Sequence, residues 1–483
     1  MSDELPKGWA TASLSTIAEI NPRHPKDLDG AMPVTFVPMA ALSESKPGFQ
    51  FTEERLLGEV RKGFTHFAER DVLFAKITPC MENGKGAVAR GLQNKLGCGT
   101  TELHVIRPLA DISAEYIYRF LAQDKVRRAA KENFTGTAGQ ARVPTSFIEE
   151  LEVPLAPLAE QRRIVAKLET LMGKVDACQQ RLTEIPVLLK RFRQSVLAAA
   201  CSGRLTADWR EERTTDDSDK KPSVKSAKSV VQSLVRDDAG SAEDLPDGWR
   251  NAPFSEFIES SFYGPRFGKE SYASEGVPTI RTTDMGFDGS IVMTDTPRIK
   301  LSSKELEKYC LQHGDLVVTR TGATIGKCAV YEKSRGPAIP GAYLIRFRFK
   351  QDLLVPKYVL RFFMSPVGQN LLVGGSNAVA QPNVNATTIS RFLIPVPPLP
   401  EQQEIVRRVE GLFALADQLE MRLAKARGQV DQITPSLLAR AFAGKLVPQD
   451  PTDEPASNLL QRIRTAASSA GETTKRKSKT VKE

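Results

Sequence analysis

The chain has 483 residues, of which 41% are hydrophobic and 26% charged; this is the balance of a globular protein and excludes wholesale disorder. At about 150 residues per domain that length predicts some three folded units, and no run of 18 apolar residues offers a membrane span. The 67 basic and 58 acidic residues leave a net charge of +9, which permits an anionic partner such as DNA without requiring one.

The opening Met1 to Lys7 lacks a basic stretch followed by an apolar one, so no secretory signal is expected. Residues 1–156 mix short β-prone runs (Asp71 to Lys76, Glu102 to Arg107) with a helical piece from Ala114 to Lys131. A polar segment, Thr135 to Pro144, follows, and Pro154 and Pro157 close this part. Residues 157–210 then read as a long helix. Its apolar residues Ile164, Leu168, Leu171, Val175, Cys178, Leu182, Ile185, Leu189, Phe192 and Val196 recur in alternating steps of 4 and 3. Residues 211–244, rich in Asp, Lys, Ser and Thr, read as a flexible linker. Residues 245–397 repeat the mixed pattern, with β-prone runs at Asp315 to Arg320 and Tyr343 to Arg348 and a helix from Pro356 to Leu372. A second long helix, 398–447, carries Ile405, Val409, Leu412, Ala416, Leu419, Leu423, Ala426, Val430, Ile433 and Leu437 at the same steps. Residues 448–483 read as a basic, disordered tail.

The second half copies the first. Leu5-Pro6-Lys7-Gly8-Trp9 returns as Leu245-Pro246-Asp247-Gly248-Trp249. Pro157-Leu158-Ala159-Glu160-Gln161 returns as Pro398-Leu399-Pro400-Glu401-Gln402, and Gly203-Arg204-Leu205 as Gly444-Lys445-Leu446. An offset held at 240 to 241 across separated matches is a tandem duplication. The sustained heptads predict that the two helices pair as a coiled coil, with a seam of Ile164, Leu168, Leu171, Val175 and Leu182 on one side and Ile405, Val409, Leu412, Leu419 and Leu423 on the other. A helix of that size is about 65 Å long, whereas the linker typically spans only about 32 Å. Antiparallel pairing is therefore expected, which gives the two copies a pseudo-two-fold relation. Pro186 and Pro435 should kink the helices, and Gly203 and Gly444 should end them.

Catalytic signatures are missing or broken. The six cysteines and four histidines form no C-x-x-C or H-E-x-x-H spacing, as expected of reduced cytoplasmic thiols. Gly322 to Cys328 falls one residue short of a phosphate-binding loop and ends on Cys. Asp71, Glu82 and Lys85 suggest a nuclease-type set, but Gly326 stands where the second copy would need Glu82. Recognition chemistry remains. Gln and Asn suit adenine edges, and Arg and Lys suit guanine edges or phosphates. The candidates for DNA contact are Lys76, Gln140 and Arg142 in the first copy, and Arg281, Arg320, Gln381, Asn383 and Asn385 in the second.

The layout resembles the specificity subunits of Type I restriction–modification systems. The resemblance rests on the duplicated Leu-Pro-x-Gly-Trp, on Gly314 to Lys327, on Gln381-Pro382-Asn383-Val384-Asn385, and on the Pro-Leu-x-Glu-Gln-x-x-Ile-Val that enters each helix. The first copy departs from the pattern at Phe74 to Pro79 and at Arg142-Val143-Pro144. The resemblance implies an α+β fold with two target-recognition domains on an antiparallel helix pair. Each domain would read one half of a bipartite DNA target, with the helices as spacer ruler and docking surface. The implied partners are double-stranded DNA, two methyltransferase (modification) subunits using S-adenosylmethionine, and restriction subunits using ATP and magnesium; this chain would carry no cofactor or active site. Two other readings stay open on the residues: an adaptor with duplicated peptide-binding domains, and a single-chain nuclease built on Asp71, Glu82 and Lys85.

Overall fold

A computed structural model describes residues 5–44, 46–137, 140–214, 245–374, 383–466 and 468. The chain divides into two compact units, Met1–Leu182 with Lys425–Glu483, and Thr183–Ala424. Each unit therefore holds one globular part, a stretch of the first long helix and a stretch of the second.

The two globular parts share the topology of one sheet and differ in the other. In the first, an antiparallel sheet runs in the order Ala18–Ile20, Leu103–Pro108, Val72–Ala75, Gly86–Val88. A second sheet orders Glu53–Leu56, Pro33–Val37, Leu96–Gly99, Thr65–Ala68 around a parallel central pair. In the second, the antiparallel sheet recurs as Ile258–Tyr263, Leu344–Phe349, Leu316–Thr319, Cys328–Val330, whereas the other sheet runs Tyr272–Ala273, Arg298–Ile299, Val277–Ile280, Ile339–Pro340 with its parallel pair at the edge. Each part is closed by a pair of strands from its two ends, Ala10–Ser13 with Glu152–Leu155 and Arg250–Pro253 with Leu393–Val396. The β-prone runs identified from the sequence are the central strands; Val72–Ala75 and Leu316–Thr319 are buried on both faces, as their largely apolar character requires.

The long helices are Leu158–Cys201 and Leu399–Phe442, each 44 residues and each unbroken at its proline. They pair antiparallel within both units. In the first unit Gln179 Nε2 donates to Asp431 Oδ1 at 3.3 Å, and Arg427 Nη2 donates to the Leu182 carbonyl at 2.8 Å. That carbonyl is the one orphaned by Pro186, which has no N–H to offer four residues on. In the second unit Arg193 reaches both Asp417 and Glu420 at 2.6 Å. Residue numbers rise on one helix as they fall on the other.

Each seam runs into a domain core. Ile164, Leu168 and Met172 share the first core with Leu438, Ala441 and Phe442 of the second helix. Val196, Leu197 and Ala200 share the second with Ile405, Val409 and Leu412. Of the remaining seam positions, Val175 and Leu423 are buried, and Leu171 and Leu182 are half-buried. Leu419 is 40% exposed and does not belong to a buried seam. Beside it, Asp417 and Glu420 pair with Arg193 of the first long helix.

Two further expectations are corrected. Residues 211–214, assigned to the linker, continue a helix, Ala207–Thr214; the rest of that segment lies outside the described residues. Residues 456–466, assigned to a disordered tail, are helical, and Ala456, Leu459, Leu460 and Ile463 are buried in the first core. Their spacing of 3, 1 and 3 is that of an amphipathic helix face; the basic stretch from 475 to 479 lies outside the described residues.

Candidate nucleic-acid interface

The duplicated motifs prove to be structural anchors, and they fix what remains for recognition. Trp9 Nε1 donates to Glu160 at 3.0 Å, and Trp249 Nε1 donates to Glu401 at 3.0 Å. Both carboxylates are 1% exposed, so each must be met by donors. Gln449 supplies the second donor to Glu160; Thr206 and Arg210 supply those to Glu401. Gln161 accepts from Ser113 N and donates to Ala156 O, and Gln402 accepts from Val355 N and donates to Pro397 O. Gly203 and Gly444 lie just past the helix ends at φ of +73° and +66°. A Cβ there would come within 2.5 Å of Pro246 and 2.2 Å of Pro6. Each helix end thus packs against the opening motif of the other repeat.

The nuclease set dissolves in the same way. Asp71 is 1% exposed, and both its oxygens are taken by Arg107 at 2.9 and 2.8 Å. Asp315 and Arg348 repeat the pair at the same distances. Glu82 accepts from Thr78 and is paired with Lys131. The strand-end aspartates close buried ion pairs and leave no free acid for chemistry. Among the described residues no group of three or more His, Cys, Asp or Glu side chains could hold a metal ion.

Most of the recognition candidates gather on one edge of each globular part. In the second unit the strand Leu316–Thr319 delivers Arg320, whose N–H donates to Tyr343 O at 3.1 Å. Val384 N donates to Arg320 O at 2.9 Å, and Thr321 bridges Asn383. Gly341 N donates to Ile280 O at 2.8 Å, which places Arg281 next in the row. In the first unit Lys76 N donates to Glu102 O at 3.0 Å and Val143 N to Lys76 O at 2.9 Å, while Ile77 bridges Arg142. The same backbone ladder builds both edges. Lys76 matches Arg320, Arg142 matches Asn383, Glu102 matches Tyr343, and Pro38 stands where the second unit has Arg281.

The side chains on those edges are held differently. The Arg320 guanidinium lies 4.9 Å from the Tyr263 ring centre, and its buried Nε has no partner among the described residues. Arg281 is tied to Asp284 through Nε and Nη2, and Nη2 also donates to Asp295 O. Asn385 Oδ1 accepts from Thr388 N and caps the helix Ala386–Ser390, so the carbonyl expected to read a base is spent on the backbone. Gln140 is exposed and offers its main-chain carbonyl to Arg142. Gln381 lies outside the described residues. Arg142 is gripped by Glu102, and its guanidinium holds that carboxyl below the usual carboxylate range. Lys76 borders an open cleft of about 370 Å³, shared with Asn21, Arg23, Thr65 and His66.

Sequence reading missed Tyr343 and Tyr263, 52% and 41% exposed, which give the second edge two aromatic faces, and it missed Glu102 on the first. The available signal was the offset: Glu102 and Tyr343 open equivalent strands, 241 residues apart.

Two copies of one sheet frame, each bearing a row of polar and basic side chains on the same edge and each fastened to the end of a long helix, define a duplicated macromolecular reader. The Type I restriction modification DNA specificity domain matches the chain twice, at residues 6–187 and 246–425, and the protein belongs to that family. The chain is 30% identical to the EcoEI specificity subunit of Escherichia coli, over 88% of this chain and 81% of that one. It is 28% identical to the EcoKI specificity subunit of Escherichia coli K12, over 97% of each. In fold it resembles the HsdS subunit from Thermoanaerobacter tengcongensis (TM-score 0.62, 20% identity, 92% of this chain and all of that one). It also resembles a chain solved in work on assembly and conformational transition of the type I R-M system (TM-score 0.66, 20% identity, 92% of this chain and 99% of that one).

Proposed function

We propose that this chain is the sequence-specific DNA-binding subunit of a Type I restriction–modification complex and reads a bipartite, asymmetric target with one globular part per half-site. The observation that carries the reading is the contrast within the duplication. The backbone bonds that build the two edges agree, while the edges carry Lys76, Glu102 and Arg142 in one copy and Arg281, Arg320, Tyr343 and Asn383 in the other. Two readers built alike but lined differently suit two different half-sites.

The paired helices act as the spacer between half-sites and as docking surface. Val187, Leu188 and Met421 are 53%, 57% and 66% exposed, and Leu415 and Leu419 also face outward; apolar side chains left in the open on a helix pair favour further helices packing there. Two modification subunits carrying S-adenosylmethionine dock on the chain, and restriction subunits supply ATP-driven translocation and magnesium-dependent cleavage. The chemistry resides in those partners, and the complex acts in the cytoplasm. Among the described residues no helix is long and apolar enough to cross a membrane.

Selection from random DNA by the complex purified through this chain tests the proposal. The expected result is two short motifs at constant spacing. No enriched motif would favour the peptide-binding adaptor instead.

A further inference from the structure

We infer that Arg142 reads a guanine in the half-site of the first globular part, with Glu102 and the Gln140 carbonyl as positioning groups. The inference rests on the proposed function and adds a base and its reader.

An arginine carries five N–H donors in one plane. Arg142 spends three of them within the chain. Nε donates to Glu102 Oε2 at 2.8 Å, Nη2 to Glu102 Oε1 at 2.9 Å, and Nη1 to the Gln140 carbonyl at 2.9 Å. Two donors have no partner among the described residues, one on each terminal nitrogen. A pair of N–H groups on adjacent terminal nitrogens is the arrangement that meets O6 and N7 of guanine together, the commonest specific contact in the major groove. The side-on grip of the carboxylate fixes the guanidinium plane, so little side-chain freedom is left to lose when a base arrives. The Arg142 side chain is 40% exposed and that of Glu102 23%, so the fork stays open to solvent while its support is partly covered.

The second unit provides the contrast. Arg281 is also held by a carboxylate, but it spends Nε on Asp284 and Nη2 on both Asp284 and the Asp295 carbonyl. Its two remaining donors sit on a single nitrogen, Nη1, which suits one acceptor such as a phosphate oxygen. At the position equivalent to Arg142 the second unit has Asn383, whose amide suits adenine. The donor pattern therefore assigns guanine reading in the first unit to Arg142.

The test is selection from random DNA by the complex, made with the wild-type chain and with Arg142→Ala, Arg142→Lys and Glu102→Gln. The wild type is expected to enrich a guanine at one position of one half-site. Arg142→Ala should lose preference at that position alone by roughly tenfold to hundredfold, with the other half-site unchanged. Arg142→Lys keeps the charge but not the planar fork and should not restore it. Glu102→Gln should blunt discrimination at the same position by a smaller factor. An unchanged motif for Arg142→Ala, or uniformly weaker binding with every letter kept (a phosphate contact), overturns the inference and leaves the proposed function standing. A wild-type selection without a bipartite motif overturns both.

Discussion

The two globular parts agree in the buried bonds that anchor them to the long helices and differ along their open edges. Trp9–Glu160 and Trp249–Glu401, Asp71–Arg107 and Asp315–Arg348, and the phenol O–H groups of Tyr116 and Tyr358 donating to the carbonyls of Pro154 and Pro395 match partner for partner. On the reading edges Glu102 faces Arg142 in one part, while an exposed Tyr343 and Asn383 hold the same places in the other. Buried polar groups must be satisfied wherever they occur, so divergence of a duplicated chain leaves them in place. Exposed edges carry no such constraint and are free to acquire different partners. The comparison teaches which residues hold the frame and which are left to confer specificity.

The largest effect should come from breaking the shared buried pair. Asp71→Ala or Asp315→Ala strands an arginine against a closed sheet and should cost about 3–5 kcal/mol, in its own unit only, as read by hydrogen exchange under increasing denaturant. A stable protein after either change would deny that these aspartates belong to the frame. Trp9→Phe and Trp249→Phe should cost about 1–3 kcal/mol each by removing a donor from a buried carboxylate. The first should cost more, because Glu160 keeps only Gln449 whereas Glu401 keeps Thr206 and Arg210. Equal losses would show that the charged partner makes no difference.

A smaller effect separates the units by pH. His24 and His104 are buried in the first unit, and burial holds both below the ordinary 6.5. His24 stacks on His66 with 4.6 Å between ring centres, and His104 faces the Lys76 charge. Groups kept neutral by the fold stabilise it fully above pH 6.5, and that stability falls as pH drops below 6.5 towards their lowered values. The single histidine of the second globular part, His313, is exposed. Between pH 7.5 and 5.5 the first unit should therefore lose hydrogen-exchange protection before the second. Simultaneous loss in both would place the pH response elsewhere.

Much of this was legible before the fold was known, for identifiable reasons. The helices show themselves through 4-3 spacing, and the duplication through one constant offset. The paired central strands show themselves through apolar runs opened by Asp71 and Asp315. What was not legible depends on contacts between distant residues. Nothing near Glu160 announces that Trp9, 151 positions away, will bind it, and Arg142 meets Glu102 across 40 positions. Two features were local and still missed. Residues 456–466 carry an apolar helix face that a charged tail composition masked. Asn385 stands three residues before Thr388, the spacing of a helix cap, and its cap bond was not foreseen. Leu419 fits the heptad by number but is 40% exposed, beside Asp417 and Glu420 that pair with Arg193.

The most direct test of the proposal that the helix pair sets the gap between half-sites is to delete seven residues from each long helix at facing levels and repeat the DNA selection. Seven residues shorten a helix by about 10 Å, or about three base pairs of duplex at ~3.4 Å each. The account predicts a shorter gap between the half-sites with the letters of both unchanged. An unaltered gap, or altered letters at the old gap, would contradict it.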